Sequence, residues 1–574
     1  MLILSLAYFW VTVLTLLTLI TSLLSVWLFK TSVVLNISIR LFYSSYEPIN
    51  VIIVLNSQTT LFTTVVLLIS TVVFVFNTYY FSSLSKLTYF NWITFLFVVS
   101  IVILINFNDF FFILLGWDGL GVTSYFLVAY YQSSTRIYSS SLTILINRVG
   151  DSLFILFVVF LWLDSSSLHF VYLSPFWAKI DIALLLFFTL STKSALFPFS
   201  PWLPAAMAAP TPISSLVHSS TLVTAGLFLI INNSNLLCLS DTVSRLIIIV
   251  SLFTSLYAGL ASLFEPDLKK VVALSTLSHL GFICLAISLS LTQLAFFHLL
   301  SHALFKSSLF ISIGSFIINN NHYQDSRLFS SLYLSNPFLT SIIIVREANL
   351  FALPALRGFY SKDLLLEITY SFSSFSSFFL FTLYFNIILT FSYTLRIFLS
   401  LVIRKTSYTY IIQGAHQSPA KIIFFFALSL LSFFSIFRGL IYRSLFLSLV
   451  IRVPFIIKVL PFIILFLIFI MFFFIKSYYS IFNFTTTLTY PLVTLLNLSP
   501  LWSNTFSKTY LQLNSYLYIH LENSFLKNLV YKLFYFISLF LSKSVHYTYT
   551  LSLKTSSSLV FIILLLFILY NLIY

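Results

Sequence analysis

The sequence predicts an all-α, polytopic membrane protein, and three observations carry that prediction. Of its 574 residues, 60% are hydrophobic and 7% charged, whereas a soluble domain is about 25% charged. Its mean hydropathy is +1.05. Apolar runs long enough to cross a bilayer recur along nearly the whole chain, which removes the reading as three or four soluble domains that length alone would suggest. A membrane barrel is excluded, because no series of about ten-residue alternating strands is present.

The spans fall near 4–29, 61–77, 91–108, 110–130, 142–163, 181–197, 212–232, 244–263, 270–290, 293–318, 337–356, 364–403, 421–436, 454–475 and 557–574. The stretch 364–403 is long enough for two, giving about 15–16 transmembrane helices. Met1 opens directly into an apolar stretch with no basic leader, which favours a first membrane span over a cleaved signal peptide. Pro198, Pro201, Pro204, Pro210 and Pro212 crowd the end of the 181–197 span, and Pro354 and Gly358 interrupt the span before Lys362. Proline removes a backbone donor and clashes with the preceding turn, so both helices are expected to be discontinuous. Paired broken helices in two halves of a membrane protein point to inverted repeats. Residues 500–556 mix Lys508, Lys527, Lys532 and Lys543 with Ser, Asn, Tyr, Leu and Phe. They read as a long amphipathic lateral helix, followed by a terminal membrane anchor at 557–574. The expected organisation is therefore N-terminal helices (1–108), a core (109–403), C-terminal helices (404–499), the lateral helix and the anchor.

The net charge of +15 is uneven. Residues 1–367 hold 15 Lys/Arg and 13 Asp/Glu, while 368–574 hold 14 Lys/Arg and only Glu522. The tail's positive charges stand singly among Phe, Leu and Ile, as expected of loop and interface residues near anionic headgroups rather than of a nucleic-acid surface. Phe 68 and Tyr 33 against Gly 11 suggests an AT-rich, organellar coding sequence. Cys238 and Cys284, the two cysteines, cannot supply the four ligands of an iron–sulfur cluster.

The acids, lysines and histidines inside apolar spans are the candidate functional residues. Asp118 lies in GWDGLGVTSYFLVAYY, Lys193 in LLLFFTLSTKSALF and His218 in PTPISSLVHSSTLVTAG. Asp267, Lys269 and Lys270 open EPDLKKVVALSTLSHLG, which also contains His279. His298, His302 and Lys306, at i, i+4 and i+8 in FFHLLSHALFKSSLF, share one helix face. Lys362 and Asp363 follow the second break in RGFYSKDLLLE. Ionised groups at bilayer depth are costly and face a bundle interior or a hydrated cavity. Asp, Lys and His strung along a protein axis are the equipment of a proton relay. Arg148 and Asp151, at i and i+3, are expected to form a structural ion pair, and the adjacent Arg346 and Glu347 have no assigned role. Gly116, Gly119 and Gly121 have the wrong order for a dinucleotide loop and no preceding strand; close helix packing explains them.

These motifs, with INRVGDSLFIL and STKSALFPFSPWLPAAMAAPTPISSLVHSSTLVTAG, run in order over roughly 110–370. They resemble the chain 5 family of mitochondrial NADH:ubiquinone oxidoreductase (respiratory complex I), distal antiporter-like subunits akin to those of Mrp-type cation/proton antiporters. The resemblance implies that Asp118 modulates the charge of Lys193. Protons would then pass through His218 and the His298/His302/Lys306 face to Lys362 and Asp363, which exchange them with one aqueous side. Two departures stand out: the family usually has Glu at Asp118 and tends to have an acid where Ala208 follows Met207. The shorter Asp118 side chain sets its carboxylate back by roughly 1.5 Å.

The resulting expectation is a proton-translocating membrane-arm subunit of complex I with neither cofactor nor metal of its own. NADH, FMN, iron–sulfur clusters and ubiquinone would belong to other subunits. Its expected partners are the other membrane-arm subunits, especially the neighbouring antiporter-like ones through the lateral helix, and phospholipids, with cardiolipin a candidate. The expected location is the mitochondrial inner membrane. The alternative is an Mrp-type antiporter subunit, against which the lateral helix argues. A purely structural scaffold would leave the intramembrane lysines unexplained.

Overall fold

In the computed structural model of the chain, the described residues are 2–43, 48–81, 84–165, 180–238, 240–319, 323–326, 336–353, 356–371, 377–398 and 423–433, with positions 463, 532, 535, 536, 538 and 539. The chain divides into two compact units, Met1–Leu496 and Asn497–Tyr574. In the second, Lys532, Tyr535, Phe536, Ser538 and Leu539 are helical. The lateral helix expected over 500–556 otherwise lies outside the described residues, as do the anchor at 557–574 and, apart from Ile463, the span at 454–475.

The first unit is a helical bundle. Its helices are α1 (Leu2–Thr31), α2 (Ser57–Tyr80), α3 (Leu84–Asn106), α4 (Phe110–Val128), α5 (Ser134–Ser165) and α6 (Ile180–Lys193). They continue with α7 (Trp202–Ala206), α8 (Thr211–Asn232), α9 (Ser234–Leu237), α10 (Asp241–Phe264), α11 (Leu268–Ser288) and α12 (Thr292–Asn319). The last are α13 (Pro337–Leu350), α14 (Arg357–Ser371), α15 (Ser377–Phe398) and α16 (Ile423–Phe433). Among the described residues, ten of these are long and apolar enough to cross a membrane. The 364–403 stretch does hold two helices, split between α14 and α15.

A helix apolar on every side belongs in the middle of a bundle, and α2, α8, α11 and α12 are buried over almost their whole surface while α1 and α5 lie at the periphery. The many Ser and Thr residues of the central helices do not disturb this. Their hydroxyls donate to carbonyls three or four residues back, as in Thr63 to Thr60 and Ser312 to Leu309, so they satisfy themselves without water.

One element lies outside the expected all-helical layout. Strands β1 (Leu35–Tyr43) and β2 (Pro48–Leu55) form an antiparallel hairpin between α1 and α2. The segment is rich in the β-branched residues that suit a pleated surface. It is tied to the α3–α4 turn, where Asn108 N donates to Ile52 O at 3.0 Å and Ile52 N donates to Asp109 Oδ2 at 2.8 Å.

Both expected breaks are present. Helix α6 stops at Lys193, Ala195 adopts a left-handed backbone with φ 54°, and the chain re-forms as the short α7. Helix α13 stops at Leu350, Ala352 has φ 61°, and α14 starts at Arg357; Pro354 lies outside the described residues. Between the breaks, Ser214–Thr221 of α8 is wound as a π-helix, a local form that is frequent at functional sites.

Glycines mark the closest approaches. A Cβ on Gly116 would lie 2.9 Å from the Leu104 amide, and one on Gly119 3.0 Å from Ser100 Cβ, whereas one on Gly121 would meet nothing within 4 Å. Close packing therefore accounts for the first two of these glycines and not the third. At Gly358 a Cβ would overlap the carbonyl oxygen of Asn349. Gly358→Ala is expected to push α14 from the end of α13 and to destabilise the protein by about 1–3 kcal/mol. The check is thermal unfolding in detergent, where an unchanged midpoint would mean a looser contact than the structure shows.

Candidate functional site

Lys193 is fully buried at the C-terminal end of α6. Its ammonium donates to the carbonyl of Trp117 on α4 and lies 4.0 Å from the centroid of that indole. Trp117 in turn stacks on Phe154 of α5, with ring centroids 5.6 Å apart. Helix α5 comes close to α6 here, since a Cβ on Gly150 would be 2.1 Å from Thr192 Oγ1.

The direct ion pair of Asp118 is with Arg148. Its carboxylate pairs with Arg148 at 3.8 Å, and Arg148 also pairs with Asp151 at 3.2 Å, as expected for i and i+3. The reason is helical geometry. Successive residues are about 100° apart around the axis, so with Trp117 turned inward to Lys193, Asp118 is turned away. The Asp118 side chain is 39% exposed against 13% for Asp151. Sequence reasoning gave Asp151 a structural role only.

His218 sits in the π-helical stretch of α8, buried, with its ring 6.0 Å from that of Trp202. Among the described residues neither ring nitrogen has a hydrogen-bond partner. Lys269 is buried and donates to Ala209 O at 3.3 Å. Lys270 points the other way, to an exposed ion pair with Asp267 at 3.0 Å, and so stands apart from the buried set.

The third group is the largest. His298, His302 and Lys306 of α12 are all buried. His279 of α11 lies between the two histidines, with ring centroids 5.5 Å from His298 and 5.7 Å from His302, and its Nδ1 is 3.4 Å from His298 Nε2. The other nitrogen of His298 is 2.7 Å from Ser361 Oγ on α14. Beside Ser361, Lys362 donates to Leu350 O at 2.6 Å and to Thr390 Oγ1 at 3.5 Å. His298, Ser361 and Lys362 line one small cavity with Phe282, Leu294 and Ile387. Lys306 donates to Ser275 Oγ of α11 at 2.5 Å. Asp363 is partly exposed. His279 was visible in the sequence as an intramembrane histidine, but nothing in its spacing tied it to His298. Ser361 and Ser275 carry no sequence signal among so many serines. Arg346 and Glu347 are both buried. No group of three or more His, Cys, Asp or Glu residues among the described residues could hold a metal ion.

Two broken helices with a buried lysine at each, and a histidine–lysine file on the helix between them, define an antiporter-like membrane protein. The family described as NADH:quinone oxidoreductase/Mrp antiporter, TM, matches residues 108–390. Curated relatives named NADH-ubiquinone oxidoreductase chain 5 include that of Caenorhabditis elegans, 40% identical over 66% of this chain and 69% of the relative. That of Anopheles arabiensis is 43% identical over 56% of this chain and 84% of the relative. The chain belongs to the NADH-ubiquinone oxidoreductase chain 5 family. It spans 57% of the length of the Lumbricus terrestris relative, at 40% identity over 57% of this chain. The fold is shared with the Mrp complex from Dietzia sp., at TM-score 0.72 and 20% identity over 95% of this chain and 63% of that one. It is also shared with the archaeal membrane-bound sulfane sulfur reductase, at TM-score 0.67 and 22% identity over 77% of this chain and 90% of that one.

The exposures give a direct test. A bulky water-soluble carbodiimide, which reaches only accessible carboxyl groups, is expected to modify Asp118 several-fold faster than Asp151 and to spare Glu347, read by peptide mass spectrometry of the solubilised protein. Faster labelling of Glu347 than of Asp118 would contradict this arrangement.

Proposed function

We propose that the chain is a proton-translocating subunit in the membrane arm of respiratory complex I. It couples NADH-to-ubiquinone electron transfer, performed in other subunits, to proton movement across the mitochondrial inner membrane. The single observation that carries this reading is the run of contacts from His279 through His298 and Ser361 to the position beside Lys362, which joins α11, α12 and the second broken helix. NADH, FMN, the iron–sulfur clusters and ubiquinone are held elsewhere in the complex. Its neighbours are the other antiporter-like subunits, reached through residues 500–556, with phospholipids such as cardiolipin between them.

The chemistry follows from burial. An ammonium in a dry interior holds its proton more firmly when a carboxylate approaches and less firmly when it withdraws. Asp151 pairs with Arg148, and its helix α5 packs closely on the end of α6 that carries Lys193. A shift of Asp151 between Arg148 and Lys193 changes the grip of Lys193 on its proton. His218, with both ring nitrogens open to a new partner, is the next acceptor, and the α11–α12 histidines carry the proton on to Lys362 and Asp363. Lys269 lies at one end of the path.

A second reading, an Mrp-type cation/proton antiporter subunit, is favoured by the fold shared with the Dietzia Mrp complex over 95% of the chain. The two part on the driving force: proton movement follows NADH oxidation in the first and a cation gradient in the second.

Lys193→Ala is expected to leave the complex assembled and to cut NADH-driven proton pumping by roughly tenfold or more, as for the loss of a proton-transfer group. Electron transfer falls with it through tight coupling. Normal pumping at normal assembly rejects the relay. Removing residues 500–574 is expected to release the subunit from its neighbours, measured by native electrophoresis; retained association would reject the arm.

A further inference from the structure

Glu347 lies on α13 and is 1% exposed. Neither of its carboxylate oxygens has a hydrogen-bond donor among the described residues, nor does it form an ion pair within 4.0 Å there. Its surroundings are defined by three other helices. Helix α13 packs against α12, which carries the buried Lys306, and the Lys306 ammonium donates to Ser275 of α11. One turn along α11, Ser278 is 3.3 Å from the hydroxyl of Tyr393 on α15, a helix that also packs against α13. A buried carboxyl group and a buried amine thus lie on neighbouring helices, in an interior where a lone ionised acid is too costly to serve as filling.

The geometry points to Glu347 as a further proton-carrying residue of this path, exchanging a proton with Lys306. The assignment rests on the proton-translocation reading above and deepens it. In the transfer an N–H bond of the Lys306 ammonium breaks and an O–H bond forms on Glu347, so that an ammonium–carboxylate pair becomes an amine and a carboxylic acid. The pair is neutral before and after, and no net charge is added to the low-dielectric interior. Rotation of the two long side chains brings them together once Lys306 leaves Ser275. Glu347 also stands one turn before Leu350, whose carbonyl holds Lys362. A proton arriving on Glu347 is therefore delivered next to the second helix break rather than only along the histidine file.

The test compares Glu347→Gln with Lys193→Ala in the intact complex, measuring NADH-driven pumping and the infrared difference spectrum between oxidised and reduced complex. Glu347→Gln is expected to assemble, to pump several-fold more slowly and to lose a carboxylic acid C=O band that Glu347→Asp shifts. Normal pumping in Glu347→Gln with impaired pumping in Lys193→Ala overturns this assignment and leaves the relay standing. Impaired pumping with an unchanged spectrum also overturns it, because Glu347 is then only a packing group. Normal pumping in both variants rejects the relay and this assignment with it. Should Glu347→Gln fail to assemble, the unmutated complex decides. A C=O band that Glu347→Asp shifts supports the assignment, and a spectrum indifferent to Glu347→Asp overturns it.

Discussion

Breaking a helix inside a membrane bundle frees backbone carbonyls where no water can reach them, and each must find a donor within the protein. The rest of the structure depends on how this is met. At the first break the indole of Trp202 donates to Thr192 O at 3.0 Å, and Leu196 N turns back to Ser191 O at 3.1 Å. At the second, Leu353 N reaches Ala348 O at 3.2 Å and Lys362 caps Leu350 O at 2.6 Å. The second lysine is thus part of the repair as well as a candidate carrier. A cation at a helix C-terminus is also favoured by the helix dipole. The same requirement sets Trp202 beside His218 and gathers α6, α7 and α8 around one point.

Against that frame of satisfied backbone, the histidines are the exception. The hydroxyls of the central helices are spent on their own helices, including those of Ser219, Ser220 and Thr221 in the π-helical turn around His218. Among the described residues, His218, His302 and Glu347 are each bare at both of their polar atoms, as is Asn386.

Most of the architecture was legible in the sequence because the membrane enforces a simple code. Apolar length gave the helices, and proline clusters gave both breaks to within a few residues. The hairpin escaped because its strands lie between spans, where hydropathy carries no message. Within the site, the buried lysines and the α12 face were readable from spacing. Three things were not. Asp118 and Trp117 are neighbours in sequence but a third of a turn apart in space, so that Trp117 meets Lys193 while Asp118 pairs with Arg148. The approach of His279 to His298 is a tertiary contact between two helices that share no motif. Glu347 lacked meaning until α11, α12 and α15 were assembled around it, since adjacency to Arg346 said only that the two point in different directions.

The left-handed residues at the two breaks have a further consequence. Ala195 and Ala352 take a backbone conformation that costs a non-glycine residue roughly 1–2 kcal/mol, in a chain with 11 glycines that places none at either position. Both methyl groups are buried, so the surrounding helices carry the load by packing against them. Each lysine-bearing segment is thereby a sprung joint, held shut by its neighbours rather than by its own preference. Any rearrangement that loosens those neighbours lets the joint relax.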